Sequence, residues 1–325
     1  AFEDQALAVL GRDRPAGVVE RQGRHARLVA DAAVGREHQR RVAGVLLQVV
    51  CGELVDRDPV LVGIAAHVAG QHSPNLRSAE IERARAKAPR DRTAYDLVLT
   101  AYPWFWSHRR EDNSRALALY NEALTCDPDY PLAMAMKAWC HAQQGCYLWS
   151  TDPDADRGAV ADLVSNTLPK VQDDPNSLVA LAAAITISLH DYSLSETCLD
   201  RALALDPNNA WGWLRRGWNG VFASEVESAL EHFDIMERLS PLDPFHFNLL
   251  FGRSAALRAA GRFNEAIELA ERGLQEGTGA TWAYRMLFGT HIMAGNRTEA
   301  LAAARKWRET NPLVTPEVMS AQLPY

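Results

Sequence analysis

One small pattern recurs along this chain at a spacing that constrains its architecture more than anything else in the sequence. Ser195, Leu199, Ala202 and Pro207 are followed 34 positions later (229 − 195) by Ala229, Phe233, Met236 and Pro241. Spacings of four and then three put the first three residues of each set on one helical face, and the proline stops the helix. The small residue lets a partner helix approach closely, while the bulky one fills the gap that remains. A period of this length corresponds to a helix–turn–helix unit that cannot bury its apolar face alone. Copies must therefore stack side by side.

The frame extends in both directions. Ala116, Tyr120, Ala123 and Pro128 occupy it, as do Ala266, Ala270 and Gly273, and again Ala300, Ala304, Trp307 and Pro312. The leading positions 116, 195, 229, 266 and 300 differ by 79, 34, 37 and 34. The gap of 79 hides a degenerate repeat: a helix from Gly158 to Val171 with Leu163, Thr167 and Lys170 in the frame and Pro175 closing it, after a longer connection from Cys146 to Asp156. This is the signature of the tetratricopeptide repeat. It predicts an all-α, TPR-like α-solenoid of about five to six helix pairs over residues 73–312, followed by a short C-terminal tail, 313–325.

The intervening helices are marked by their ends. Thr93 is placed to cap a helix through Tyr102, which Pro103 should kink or interrupt before Trp104–His108, with a turn at Arg109 to Asn113. Ser177–His190 is apolar enough to be buried on both sides. A helix from Phe245 to Ala260 ends at Gly261, suited to a left-handed turn. The last pair begins at Trp282 and turns at Gly295–Asn296.

Residues 1–72 differ from the rest. Of 26 aromatic residues only Phe2 lies there, and the segment has no lysine but four of the ten histidines. A segment so poor in large rings has little with which to anchor a core. Two accounts stand: weak or irregular structure, or translation in a shifted reading frame, since the composition changes abruptly near Ser73. Only four of the 34 basic residues are lysines, which points to a GC-rich coding genome and a bacterial source.

Composition excludes some function classes. A net charge of −7 and a pI near 5.8 leave no basic face to neutralise phosphates, so nucleic acid is not an expected partner. No stretch approaches the roughly 18 apolar residues of a membrane helix, and the start lacks the order of a signal peptide. Five cysteines, an odd number with no C-x2-C pair, read as reduced thiols in a cytoplasmic protein.

Local chemistry is sparse. The glycines stand singly, with no phosphate-binding loop and thus no expected nucleotide cofactor. Cys140, His141 and Cys146 are the one cluster with metal-binding residue types, but adjacent Cys140 and His141 diverge on a helix and a fourth ligand is missing, so no metal is expected. Asp152, Asp154 and Asp156 alternate as in a calcium loop yet lack its glycine and terminal glutamate; a helix-capping loop is the simpler reading. The pairs Asp127/Asp129 and Asp173/Asp174 flank repeat boundaries and belong to turns. No nucleophile–base pair is present, and no catalytic residue is assigned.

A binding surface remains. The first helix of each pair lines the inner face of such a solenoid. The groove-facing positions fall on Trp211, Leu214, Trp218 and Phe222 in one repeat, and on Trp282, Arg285, Ile292 and Met293 in the last. These residues either pack between helices or anchor a partner peptide. The lysine and asparagine set with which some tetratricopeptide domains clamp a C-terminal carboxylate is absent from these positions.

The run N-L-R-S-A-E-I-E-R-A-R-A-K-A-P-R-D-R-T-A-Y-D-L-V-L, then R-E-D-N-S-R-A-L-A-L-Y-N-E-A-L-T-C-D-P-D-Y and A-W-C-H-A-Q, resembles the C-terminal tetratricopeptide region of bacterial adenylate/guanylate cyclase-type proteins. The resemblance covers about Ser73 to the end. It implies a regulatory or scaffolding repeat module for a nucleotide cyclase; the metal-binding aspartates of a cyclase domain have no counterpart in residues 1–72. Three roles are therefore weighed: a protein-interaction module, a cyclase fragment whose catalytic part is missing here, and a structural oligomerisation domain.

Overall fold

The computed structural model describes residues 77–171, 173–311 and 315. The expectations for residues 1–72, and nearly all of that for the tail, lie outside the described residues. Among the described residues every regular element is helical. Helix α1 covers residues 77–86. Six antiparallel pairs follow: α2 (Ala94–Trp106) with α3 (Arg110–Cys126), α4 (Pro131–Cys146) with α5 (Pro153–Thr167), and α6 (Pro175–Ala184) with α7 (Tyr192–Leu205). Then come α8 (Ala210–Phe222) with α9 (Val226–Leu239), α10 (His246–Ala259) with α11 (Phe263–Glu276), and α12 (Tyr284–Met293) with α13 (Arg297–Thr310). From α2 onward each helix packs on its sequence neighbours, except that α6 packs on α4 and not on α5, which makes the chain a TPR-like α-solenoid.

Helix starts follow local chemistry. Thr93 and Asp96 form a reciprocal capping box at α2. Asp152, Asp174, Asp191 and Asn209 each accept a backbone N–H at the start of their helices, so the aspartates near the repeat boundaries act as caps. Asp96 is buried with Lys87 Nζ at 2.6 Å and Thr93 N at 2.9 Å. Burial alone would raise its pKa, but these donors hold it down at about 2.

The second helix of each pair carries the repeat frame inward. Ala116, Tyr120 and Ala123, then Ser195, Leu199 and Ala202, then Ala229, Phe233 and Met236 are all inaccessible to solvent. Phe233 lies between two inner helices that have thinned to receive it. A Cβ at Gly217 of α8 would stand 2.4 Å from its ring, and one at Gly252 of α10 would stand 2.3 Å from it.

Three expectations are corrected. Helix α2 continues through Pro103 to Trp106, because the proline falls near its end where few ladder bonds remain to be lost. Residues expected to turn after Arg109 already form the first turn of α3. In the degenerate repeat α5 starts at Pro153, and its buried face is Val160, Val164 and Thr167. The true frame lies three residues before the expected Leu163, Thr167 and Lys170, and Lys170 is exposed. The unbroken apolar run of α6 ends in a π-helical turn, Ile185–Leu189.

Every turn within a pair contains one residue with left-handed backbone: His108, Leu148, His190, Ser224, Gly261 and Gly295, with φ between 51° and 81°. Glycine takes this conformation without steric cost, whereas a residue with a side chain carries a penalty. The expected turns at Gly261 and Gly295 are therefore the unstrained members of a set of six.

The array also folds back on itself. Trp282, at the start of the sixth pair, stacks on Tyr147 at 4.5 Å and donates its indole N–H to His108 Nδ1 at 3.1 Å. Arg285 donates to the carbonyl of Cys146, and Asn311 to that of Tyr147, each at 3.1 Å. Residues at the far ends of α2 and α4 are thereby joined to the beginning of α12. The space between them is filled by rings in sequence: Phe105 on Trp139 (4.8 Å), Phe105 on Phe245 (5.8 Å), Trp211 on Phe245 (5.6 Å) and Phe251 on Trp282 (5.1 Å). Such ring pairs add directional attraction to a large buried apolar area.

Candidate functional site

This closure decides where an inner-face site can be. The eight residues expected to line the groove divide into a buried and an accessible set, largely by which half of their helix they occupy; Arg285, the second residue of α12, is accessible although it lies in a leading half. Trp211 and Leu214, in the leading half of α8, and Trp282, in the 3-10 turn Thr281–Ala283 just before α12, are 8, 0 and 4 % exposed and belong to the aromatic core. Trp211 meets Tyr102, Trp106, Trp139 and Phe245, and its indole N–H donates to Asp243 at 3.2 Å. These three residues pack between helices, the first of the two alternatives the sequence left open.

The trailing halves remain accessible. Trp218 is half-buried, with its face stacked at 5.8 Å on Phe222, and Phe222 is 37 % exposed. Ile292 and Met293, at the corresponding end of α12, are 53 and 55 % exposed. Arg285 is half-buried, tethered to the Cys146 carbonyl. Five of the eight therefore retain accessible surface on the inner helices.

The floor between them carries polar groups that the sequence reading missed. Arg215 of α8 is buried, lies 5.3 Å above the ring of Trp139, and donates to Asn248 Oδ1 of α10. Trp218 Nε1 donates to the same Asn248 oxygen at 2.9 Å. Burial lowers the Arg215 pKa to about 10, as expected for a charge removed from water. Arg258 stands at the end of α10, half-buried, with its guanidinium 3.5 Å from where a Cβ would be on Gly289 of α12. Burial, then the neighbouring Arg285 charge, lowers its pKa also. Arg258 was legible in principle: it occupies in the fifth repeat the frame position that Ile292 occupies in the sixth (258 − 266 and 292 − 300 are both −8).

The cluster of metal-ligating types does not assemble. Cys140 is buried, while His141 turns away to place Nδ1 2.6 Å from Asp156 Oδ1. Asp156 also accepts the Ser150 hydroxyl. The carboxylate stands between serine and histidine, so the hydroxyl has no imidazole base. Ser150 and Asp156 border an open cavity of about 290 Å³ also lined by Arg110, Ser114, Gln144, Trp149 and Thr151.

A tetratricopeptide-repeat family model matches residues 257–322. Among solved structures, a chain of the APC/C hetero-tetramer Cut9–Hcn1 superposes with a TM-score of 0.52 at 14 % identity, over 81 % of this chain and 48 % of that one. The present chain thus spans about half the length of that relative. A tetratricopeptide repeat protein from Parabacteroides merdae matches with a TM-score of 0.48 at 14 % identity, over 85 % and 96 % of the two chains. YrrB, described as a TPR protein with an unusual peptide-binding site, matches with a TM-score of 0.34 at 16 % identity, over 65 % and 96 %. No curated protein matches. The family match and the Cut9 superposition agree with the helix-pair architecture: this is a tetratricopeptide-type solenoid. Among the described residues, no helix is long and apolar enough to cross a membrane.

Proposed function

We propose that the chain is a non-catalytic protein-interaction module that holds an extended peptide segment of a partner on the open half of its inner face. The observation that carries this reading is the exposure of Phe222, Ile292 and Met293 at matching ends of two inner helices, with half-buried Trp218 stacked on Phe222. Rigid aromatic and aliphatic anchors are what peptide grooves present. Selection from a displayed library of random dodecapeptides tests this. Enriched peptides should bind the wild-type protein saturably and lose that binding in Trp218→Ala and Phe222→Ala. No enrichment above background refutes peptide capture, and loss of self-association in place of peptide binding favours the oligomerisation role.

The finer setting is regulation or scaffolding of a bacterial, cytoplasmic nucleotide cyclase, supported by the resemblance of residues 75–99, 110–130 and 138–143 to cyclase-type proteins. In that setting the chain itself yields no cyclic nucleotide from ATP or GTP with a divalent metal, and clear turnover would overturn the assignment. The parental DNA upstream of the Ser73 codon, translated in its other frames, should read as cyclase or linker sequence. With a net charge of −7, nucleic acid and anionic membranes are poor partners.

A further inference from the structure

Among the described residues four arginines lie over tryptophan rings, and three of them are also held by a polar partner. Arg115, over Trp104, bonds Asp112; Arg215, over Trp139, bonds Asn248; Arg216, over Trp213, contacts Glu196 and Asp200. The fourth, half-buried Arg77, stands 4.4 Å above the Trp211 ring and has no hydrogen bond or ion pair among the described residues. Its own helix does not depend on that contact. In α1, Ile81 and Ala84 are buried, Glu80 accepts the Tyr95 hydroxyl at 3.1 Å, and Lys87, just beyond the helix, bonds Asp96. The Arg77 side chain can therefore swing away while α1 stays in place.

The ring that it covers is prepared for a cation. Trp211 donates its indole N–H to Asp243 Oδ1 at 3.2 Å, and this buried carboxylate is fixed in turn by the Ser240 hydroxyl and the Phe245 N–H. A carboxylate bonded at the edge of an indole pushes electron density onto its faces and strengthens their hold on positive charge. Tyr102 and Trp106, stacked on each other at 5.5 Å, stand at right angles to Trp211 at 5.8 and 6.1 Å. Burial raises the Tyr102 phenol to a pKa of about 12, and the nearby Arg77 charge pulls against that rise. Three rings and a carboxylate thus surround one guanidinium that nothing else holds.

We infer that this corner between α2 and α8 is a cation site for an arginine side chain of a partner protein, and that Arg77 is its resident plug, displaced when the partner binds. Guanidinium is the class because the group already seated there is one, and its planar, weakly hydrated charge lies flat on an aromatic face. The site is at the leading end of α8, whereas Phe222 is at the trailing end, so it stands or falls apart from the peptide-capture reading. A partner's affinity for an occupied site is reduced in proportion to the fraction of molecules in which that site is free. Removing the plug should therefore tighten binding.

The probes are two acetylated, amidated peptides, Gly-Gly-X-Gly-Gly, in which X is arginine or its neutral isostere citrulline. Isothermal titration calorimetry on the whole chain should show the arginine peptide binding Arg77→Ala at least about tenfold more tightly than the wild type. The citrulline peptide should bind neither. Trp211→Phe, added to Arg77→Ala, should weaken the arginine peptide several-fold, because a benzene face attracts a cation less than an indole face does; thermal melts check that both variants are folded. Where Trp211→Phe does not fold, the indole N–H resonances of Arg77→Ala locate the ligand, and that of Trp211 should shift most among the nine tryptophans. Equal affinity of the arginine peptide for wild type and Arg77→Ala, or binding to neither, overturns the plug. Citrulline peptide bound as tightly as arginine peptide overturns the cationic class. Undiminished binding in the folded Trp211→Phe variant, or a larger shift at another tryptophan, overturns the location.

Discussion

Lowering the pH from 7.5 to 5 should destabilise this protein through one histidine in particular. His108 occupies the turn between α2 and α3, is 1 % exposed, receives the Trp282 indole N–H on Nδ1, and has its Nε2 3.4 Å from the Gln143 amide nitrogen. Burial, and secondarily the positive charge of Arg215, lowers its pKa from 6.5 to about 3. The sign follows from proton counting. Between pH 6.5 and 3 the unfolded chain carries a proton that the folded chain cannot accept, so stability is complete above 6.5 and declines as the pH falls through that window. Each pH unit is equivalent to about 1.4 kcal/mol, and the one and a half units down to pH 5 therefore remove about 2 kcal/mol. For a folded unit of this size that is a drop in Tm of roughly 4–8 °C. Melts followed by circular dichroism at the two pH values, on the wild type and on His108→Asn, make the measurement. Asparagine tolerates the left-handed backbone and does not titrate. The variant should lose most of the pH-dependent drop; the remainder comes from half-buried His190 and His232, whose pKa values burial also lowers. An unchanged drop in the variant would refute the assignment, since carboxylates held low, such as Asp96, respond only at more acidic pH.

Five further substitutions have signs set by local geometry. Gly217→Ala and Gly252→Ala press a methyl into the Phe233 ring; overpacking of about 1–3 kcal/mol against a helix-propensity gain of about 1 gives net destabilisation by up to about 2 kcal/mol, relieved in urea melts when Phe233→Leu is added. Gly158→Ala, in α5 with nothing within 4 Å of the added carbon, should instead stabilise by about 0.5–1 kcal/mol, so equal signs at Gly158 and Gly217 would disprove the packing account. Ser224→Gly relieves the left-handed backbone of an exposed turn residue (φ 66°) and should raise stability by about 0.5–1 kcal/mol, the steric gain less the added chain entropy. Asp96→Asn should destabilise above pH 4 by about 2 kcal/mol or more and flatten the acid limb between pH 4 and 2, because a carboxylate whose pKa is depressed to about 2 stabilises only while ionised.

Much of this fold was legible because the period reports what each helix must offer its nearest neighbours. Tyr120, Leu199 and Phe233 each follow a small residue by four and are buried as that spacing requires. The degenerate repeat lies three residues from its expected frame because Val160, Val164 and Thr167 include neither a small lead residue nor an aromatic, and Pro175, the expected stop of that helix, is the first residue of α6. The candidate site was legible by half. Position within the repeat identified the inner face, but not that Trp211 and Trp282 would be consumed by contacts to Trp139, Phe245 and Tyr147 from other repeats. A periodic pattern carries no record of contacts between distant turns. The burial of Arg215 beside Asn248 and Trp139 was missed for a related reason, since its partners come from α10 and α4.

The bond from Trp282 to His108 spans 174 residues. Stacked arrays built only on nearest-neighbour contacts can gain or lose a unit at modest cost, and their ends can fray independently. Here the first and sixth pairs are one joint. Deleting any internal pair would carry Trp282 past Tyr147 and leave two half-filled aromatic faces, and inserting one would separate them by the width of a helix pair. The number of repeats is therefore not a free variable in this lineage: gene duplication and slippage, the ordinary route by which such arrays change length, meet a geometric stop, and drift must act on the outer helices and on the open half of the inner face.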